Sequence, residues 1–206
     1  MPANQQFETI IFDLGGVLID WNPQYLYRKI FPDEEERTYF LQNVCTPHWN
    51  EQQDAGRSIE EANKILIDQY PQFEKEILAF YGRWTEMLGG PIDETVELLK
   101  LLNGNGNHRL LALTNWSAET FPIALERYDF LQIFSGILVS GQENMKKPDP
   151  RIYQLILDRY HVDPATSVFI DDSQRNIDAA IKEGIDGIVF TSAHQLREAL
   201  VARSIL

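Results

Sequence analysis

Five short runs dominate the hydrophobic pattern of the chain: TIIFD (9–13), LLALTN (110–115), GILVS (136–140), SVFIDD (167–172) and GIVFTS (187–192). In each, apolar and β-branched side chains follow one another without alternation. A strand with one face in water alternates polar and apolar positions, whereas continuous apolar strands belong to a parallel sheet covered on both faces. Between the runs lie segments with helical spacing: DETVELLKLLN, SAETFPIALERY, DPRIYQLILDRYH, SQRNIDAAIKEG and SAHQLREALVARS. Ser117, Asp149, Ser173 and Ser192 stand where N-caps belong, Gly184 stands where a helix should stop, and NGNGN at 103–107 reads as a tight loop. The repetition predicts an α/β fold built on a doubly wound, Rossmann-like parallel sheet.

One interval breaks the rhythm. From about Asn22 to Gly90 there is no convincing strand, only the helical patterns PQYLYRKIF, EEERTYFLQNV, IEEANKILIDQY and EKEILAFYGRWTEML, after which GGP at 89–91 returns the chain to the sheet. The simplest division is an α/β core of residues 1–21 and 91–206 with a small helical domain, 22–90, inserted after the first strand and lying over its carboxyl end. There is no internal repeat and no low-complexity segment.

Composition narrows the partners. Eighteen Lys and Arg against 31 Asp and Glu give a formal charge of −13, spread along the chain. Such a surface disfavours nucleic acid and anionic membrane, so an anionic ligand has to be captured by a local site against the general field. Cys45 is the only cysteine and cannot make an internal disulfide, which fits a reducing compartment. The opening MPANQQFET lacks a basic region followed by an apolar stretch, and no apolar run approaches the roughly 20 residues of a membrane span. The expectation is a soluble cytoplasmic protein, monomeric or weakly dimeric, that acts on a small molecule.

In an open α/β sheet ligands bind beyond the carboxyl ends of the strands. The polar residues there are Asp13 after the first run, Thr114 and Asn115 after the second, Lys146 and Lys147 past the third, and Asp171 and Asp172 after the fourth. Three carboxylates converging on one crevice repel unless a cation or proton sits among them, and a hard divalent ion, Mg²⁺ above all, is the natural neutraliser. Gly15 and Gly16 let the backbone turn sharply, so that N–H groups can face an anion and a carbonyl can face the metal. The Thr114 hydroxyl, the Asn115 amide and the Lys147 ammonium suit three oxygens of a phosphoryl group, which leaves Asp13 in line to attack it and form an aspartyl-phosphate.

Each residue also has a plainer reading. Asp13 could be a solvated strand-end carboxylate, and the Asp171-Asp172 pair a helix cap, although one acid suffices for capping. Thr114 and Asn115 could be turn residues; Lys146 reads as solvated, and the prolines of KPDP stiffen the loop that aims Lys147. Trp116 could line the crevice or cover the sheet edge. In the stretch HWNEQQDAGR, His48, Trp49 and Arg57 are candidates for substrate contact, set against the aromatic core that any helical insert needs. Cys45 has no base placed beside it and reads as structural.

FDLGGVLID, LTN, KKPDPRIY and VFIDDSQRNI, in this order and spacing, resemble the four motifs of the haloacid dehalogenase-like hydrolases. The resemblance runs from residue 8 to about 192, and the insert is similar to that superfamily's helical cap domain. It implies that Asp13 is the nucleophile and a magnesium ligand and that the Gly15 carbonyl is another ligand. It further implies that Thr114 and Asn115 bind phosphate, that Lys147 is the third-motif lysine, and that Asp172 ligates the metal directly with Asp171 beside it acting through water. One position departs: phosphatases of the superfamily usually carry a second Asp two residues after the nucleophile, which protonates the leaving group, and here that residue is Gly15. The DLGGVL form resembles a branch that includes bacterial phosphatases of sugar phosphates such as glucose 1-phosphate; the 2-haloacid dehalogenases also lack that Asp. The expected activity is a Mg²⁺-dependent phosphatase of small phosphorylated metabolites, a sugar phosphate among the options. The alternatives are a 2-haloacid dehalogenase that uses Asp13 on carbon without metal, and a phosphate- or partner-binding protein with little turnover.

Overall fold

The computed structural model describes residues 6–206. The chain enters through β1 (Thr9–Phe12), turns through residues 13–18 and forms the short β2 (Ile19–Trp21). It then runs through α1 (Gln24–Ile30), α2 (Glu34–Asn43), α3 (Pro47–Asp54), α4 (Ile59–Gln69) and α5 (Glu74–Gly82) before β3 (Leu88–Pro91) brings it back. The remainder alternates: α6 (Asp93–Asn105), β4 (Arg109–Thr114), α7 (Phe121–Arg127), β5 (Gly136–Val139), α8 (Ser140–Glu143), α9 (Pro150–Tyr160), β6 (Ser167–Asp171), α10 (Gln174–Lys182), β7 (Asp186–Val189) and α11 (Ala193–Ala202).

Five strands form one parallel sheet in the order β5-β4-β1-β6-β7. Alternate residues of the central strands serve opposite layers. Ile10 and Phe12 pack with Val96 and Leu99 of α6 and Leu196 and Leu200 of α11. Ile11, Leu111, Leu113 and Phe169 pack with Ile152, Tyr153 and Ile156 of α9 and Ile177 of α10. Both faces are dry, which is why these strands read as unbroken apolar runs. The chain winds outward from β1 through β4 and β5, then crosses back to β6 on the other side of β1. The direction of winding therefore reverses beside β1, and a crevice opens at the strand ends there.

The stretch before β3 corrects the expectation of no strand between Asn22 and Gly90. β2 and β3 pair antiparallel, Ile19 with Pro91 and Asp20 with Gly90, and form a two-stranded ribbon at the base of the helical segment. Neither was legible, because three or four residues carry no period and LGGP is made of residues depleted in strands. Helix α3 also escaped the pattern; PHWNEQQD is polar but for Trp49, and its start is set by the Thr46 hydroxyl, which accepts the Trp49 N–H at 3.0 Å, with Pro47 at the first position. Helices α1, α2, α3 and α5 contribute to an aromatic cluster in which Tyr27 lies 4.9 Å from Phe40 and Phe80 lies 5.1 Å from Trp49, centroid to centroid.

Capping follows the pattern in part. Asp149 and Ser192 accept the N–H groups of Arg151 and Gln195. Ser117 is no cap: α7 starts four residues later, and the Ser117 hydroxyl accepts from Glu119 in the preceding loop. Ser173 precedes α10 without capping it. Gly184, at φ +86°, ends α10 as expected, whereas α6 continues into NGNGN as far as Asn105 and ends on Gly106 at φ +65°.

Candidate active site

The floor of the crevice is set by the turn after β1. Asp13 still belongs to the sheet through its N–H, which donates to the Ile170 carbonyl at 2.8 Å. Beyond it the Leu14 carbonyl accepts from both Leu18 and Ile19, while Leu14, Val17, Leu18 and Ile19 are all fully buried, so the turn is held from below by apolar packing. The two glycines differ in purpose. Gly16 sits at φ +74°, and a Cβ there would lie 2.4 Å from Oδ2 of Asp172. Gly15 has no left-handed backbone, and a Cβ on it would meet nothing within 4 Å. Gly16→Ala is therefore expected to cost about 1–3 kcal/mol through strain and displacement of Asp172, measurable as a lowered urea midpoint, whereas Gly15→Ala should leave the midpoint near that of the parent.

Lys147 is completely buried and spends its three N–H groups on protein. Nζ donates to Asp13 Oδ2 at 2.9 Å, Asp171 Oδ2 at 2.7 Å and the Leu113 carbonyl at 2.9 Å. The Asn115 side chain grips the backbone of the same lysine from both sides, accepting its N–H at 2.8 Å and donating to its carbonyl at 3.0 Å. The Asn115 amide is thus engaged with the lysine loop, which the sequence alone did not suggest. Asp171 is saturated as well: Lys147, the Asn176 amide and the Ser173 N–H all donate to it. Behind the turn after β4, Ser140 Oγ accepts the Trp116 N–H, and Gly141 lies so close that a Cβ would be 2.5 Å from the Ala118 nitrogen.

Asp13, Asp171 and Asp172 offer carboxyl oxygens that all lie within 4.8 Å of one another. With Lys147 among them, three negative charges and one positive leave a formal −2 at the bottom of the crevice. Burial, reinforced by the charge of Asp171, pushes the Asp13 carboxyl up to about 8 despite the pull of Lys147. Burial and Asp171 also raise Asp172. Burial alone would lower Lys147, but Asp13 and Asp171 more than offset it and hold the ammonium above its ordinary value. These shifts mark a group of acids short of positive charge, and a divalent cation would fit both the charge and the oxygen donor set. Thr114 Oγ1 is buried and has no hydrogen-bond partner among the described residues, so a donor-acceptor position is left for a bound group.

Above the floor the crevice encloses about 600 Å³. Trp21, Leu41, Phe80, Trp84 and Trp116 give it apolar walls, and Asn50, Asp54 and Tyr81 add polar groups from the helical segment. Trp116 packs edge-on against Trp84 at 5.5 Å, joining the turn after β4 to the helical segment, and donates through Nε1 to Thr120. Cys45 also borders the crevice, and burial pushes its thiol well up. His48, Trp49 and Arg57 lie elsewhere. His48 is exposed on the outer side of α3, Trp49 is buried in the aromatic cluster with its indole N–H on the Ala62 carbonyl, and Arg57 bonds to Gln53 and the Trp49 carbonyl. Glu51 and Asp54, from the same stretch, are the residues that face the sheet; the only sequence signal was a pair of acids three apart on one helix.

The chain belongs to the haloacid dehalogenase-like hydrolase family, whose model matches residues 7–184. Among curated relatives, the sesquiterpene phosphatase astK of Aspergillus oryzae is 29% identical over 188 residues, 91% of this chain and 91% of the relative. A phosphorylated carbohydrates phosphatase of Thermotoga maritima is 26% identical over 196 residues, 93% of this chain and 88% of the relative. A HAD family enzyme of Bacteroides thetaiotaomicron, solved in complex with magnesium and inorganic phosphate, superposes with a TM-score of 0.67 at 21% identity over 90% of this chain and 95% of that one. At that identity the likeness is one of fold. Among the described residues no helix is long and apolar enough to cross a membrane.

Proposed function

We propose that the protein is a Mg²⁺-dependent phosphatase of small phosphorylated organic molecules, working through a phosphoryl group carried on Asp13. The observation that supports this most is the buried Asp13–Lys147–Asp171 arrangement, with Asp172 beside it and a formal charge of −2. In this reading residues 1–21 and 91–206 are the catalytic core and 22–90 a cap over it. The carboxylates of Asp13 and Asp172 and the Gly15 carbonyl would hold the metal, and Asp171 would act through water, because its own oxygens are occupied. The metal would supply positive charge to the transferring phosphoryl oxygens. Lys147 pulls Asp13 toward its ionised form and aims it, Thr114 Oγ1 takes a phosphoryl oxygen, and Asn115 fixes the lysine loop. Asp13 attacks phosphorus, the ester P–O bond breaks, and water later cleaves the acyl phosphate. The apolar crevice walls accommodate the organic part, which is compatible with relatives named for terpene and for carbohydrate phosphates.

Dehalogenation by the same Asp13 is the second reading, and the retained Asp171-Asp172 pair favours the phosphatase, since attack on carbon needs no metal. A phosphate-release screen over terpenyl, sugar and nucleoside monophosphates, with Mg²⁺ and with chelator, tests the proposal. Release only with Mg²⁺ is expected. Halide release from 2-haloacids without metal would replace it with the dehalogenase, and binding of phosphate without turnover on any ester would replace it with the binding protein.

A further inference from the structure

The family's usual second Asp is missing at Gly15, and the space there is open. Two acids of α3 without a role above border the crevice, Glu51 and Asp54, the latter the last residue of the helix. The helix is pinned to the sheet domain on either side of Asp54. Glu51, one turn earlier, takes Lys146 Nζ at 2.8 Å and Arg175 Nη2 at 3.0 Å. Gly56, two residues later at φ +100°, lies so close to Asn144 that a Cβ would sit 2.2 Å from its Oδ1. Between these anchors the Asp54 carboxylate lies near the backbone N–H of Ser117, two residues beyond Asn115. Asp54 and Asp13 thus border one crevice, from the helical segment above and the sheet below.

We propose that Asp54 is the general acid and base of the reaction, delivered from the helical segment instead of from the loop after Asp13. The inference rests on the phosphatase reading above. As Asp13 attacks and the ester P–O bond breaks, the Asp54 carboxyl gives its proton to the departing alkoxide oxygen. The resulting carboxylate then takes a proton from water as that water attacks the acyl phosphate. The P–O bond to Asp13 breaks, inorganic phosphate leaves, and Asp54 is again protonated. The charged and titratable groups around Asp54 are Lys146 and Lys147 from the loop after α8, Glu51 on its own helix, and Tyr81 of α5. Burial outweighs the two lysines and, with Glu51, pushes its carboxyl up to about 7, close to the optimum for proton transfer at neutral pH.

Asp54→Asn tests this with two substrates in the presence of Mg²⁺. On an alkyl phosphate, whose leaving alkoxide needs a proton, kcat/KM should fall by about 10²- to 10⁴-fold. On p-nitrophenyl phosphate, which leaves as a stable phenolate, the first step should survive. Rapid quench should then show a burst and accumulated phosphoprotein, because dephosphorylation has lost its base. In the parent, kcat/KM on the alkyl phosphate should decline as pH rises through about 7, the direction expected of an acid that must be protonated; in Asp54→Asn this limb should vanish, and Asp54→Glu should keep much of the activity. Gly15→Asp in the Asp54→Asn background, placed in open space, should regain turnover. Equal losses on both substrates, an unchanged basic limb or undiminished activity would overturn the role of Asp54 alone. A parent enzyme that releases no phosphate from any ester would overturn the phosphatase reading and this inference with it.

Discussion

Asp13→Asn is expected to reduce phosphate release by at least ~10³-fold while the protein stays folded. The change keeps the shape of the side chain but removes the charge that, in the proposed mechanism, attacks phosphorus. The Leu14 N–H, which donates to Asp13 Oδ1 at 2.7 Å, can still donate to an amide oxygen, so the turn after β1 keeps its geometry. The substitution also removes one of the two negative charges facing Lys147, and Asp171 remains to pair with it. Thermal unfolding should therefore occur near the parent temperature, and acid-quenched protein should carry no labelled phosphate. Substantial turnover by folded Asp13→Asn would refute covalent catalysis by this residue.

Lys147→Met should act on stability as strongly as on rate. Lys147 is fully buried between two acids, and replacing it with an apolar side chain of similar length leaves Asp13 and Asp171 facing each other without a counter-charge. Removing one member of a buried ionic group costs about 3–5 kcal/mol, because the charge left behind has lost its compensation. The sign of the pH effect follows from the same cause. Without the ammonium the Asp13 carboxyl, already raised by burial, loses the charge that pulls it down, and an acid raised in the folded state favours folding below its unfolded range and disfavours it as pH rises toward and through its folded range. The deficit of the variant should be small under acid conditions and grow toward neutrality. Chemical denaturation at a series of pH values measures it, and added Mg²⁺ should recover part of the loss by binding the folded state. A midpoint equal to that of the parent at neutral pH would show that Lys147 does not compensate these acids.

The five sheet strands were readable because burial on both faces demands one unbroken apolar run per strand, a local property of sequence. Asp13, Asp171 and Asp172 could be collected for a related reason: they end such runs, and all parallel strands end on the same side. The family motifs then ordered these positions without any knowledge of three-dimensional contacts. The ribbon of β2 and β3 could not be read, since its partners are separated by the whole helical segment and neither strand carries a period of its own. Nor could the roles of Asn115 and Asp171 within the site. An exposed-looking amide and an acid at a strand end gave no sign that one would grip the lysine backbone and the other would be saturated by four donated hydrogen bonds.

In HWNEQQDAGR, residue chemistry pointed to His48, Trp49 and Arg57. The side that α3 turns toward the sheet carries Glu51 and Asp54 instead. What the sequence by itself determined is the layered fold, the charge of the crevice floor and the absence of an acid at position 15, because these depend on residue type and on spacing within single elements. What only the tertiary structure decided is which side chains are already spent on one another, which glycine has room beside it and which acid of the helical segment overlooks Asp13. Those depend on how the helical segment is seated on the sheet, through contacts between residues far apart in the chain that leave no local pattern.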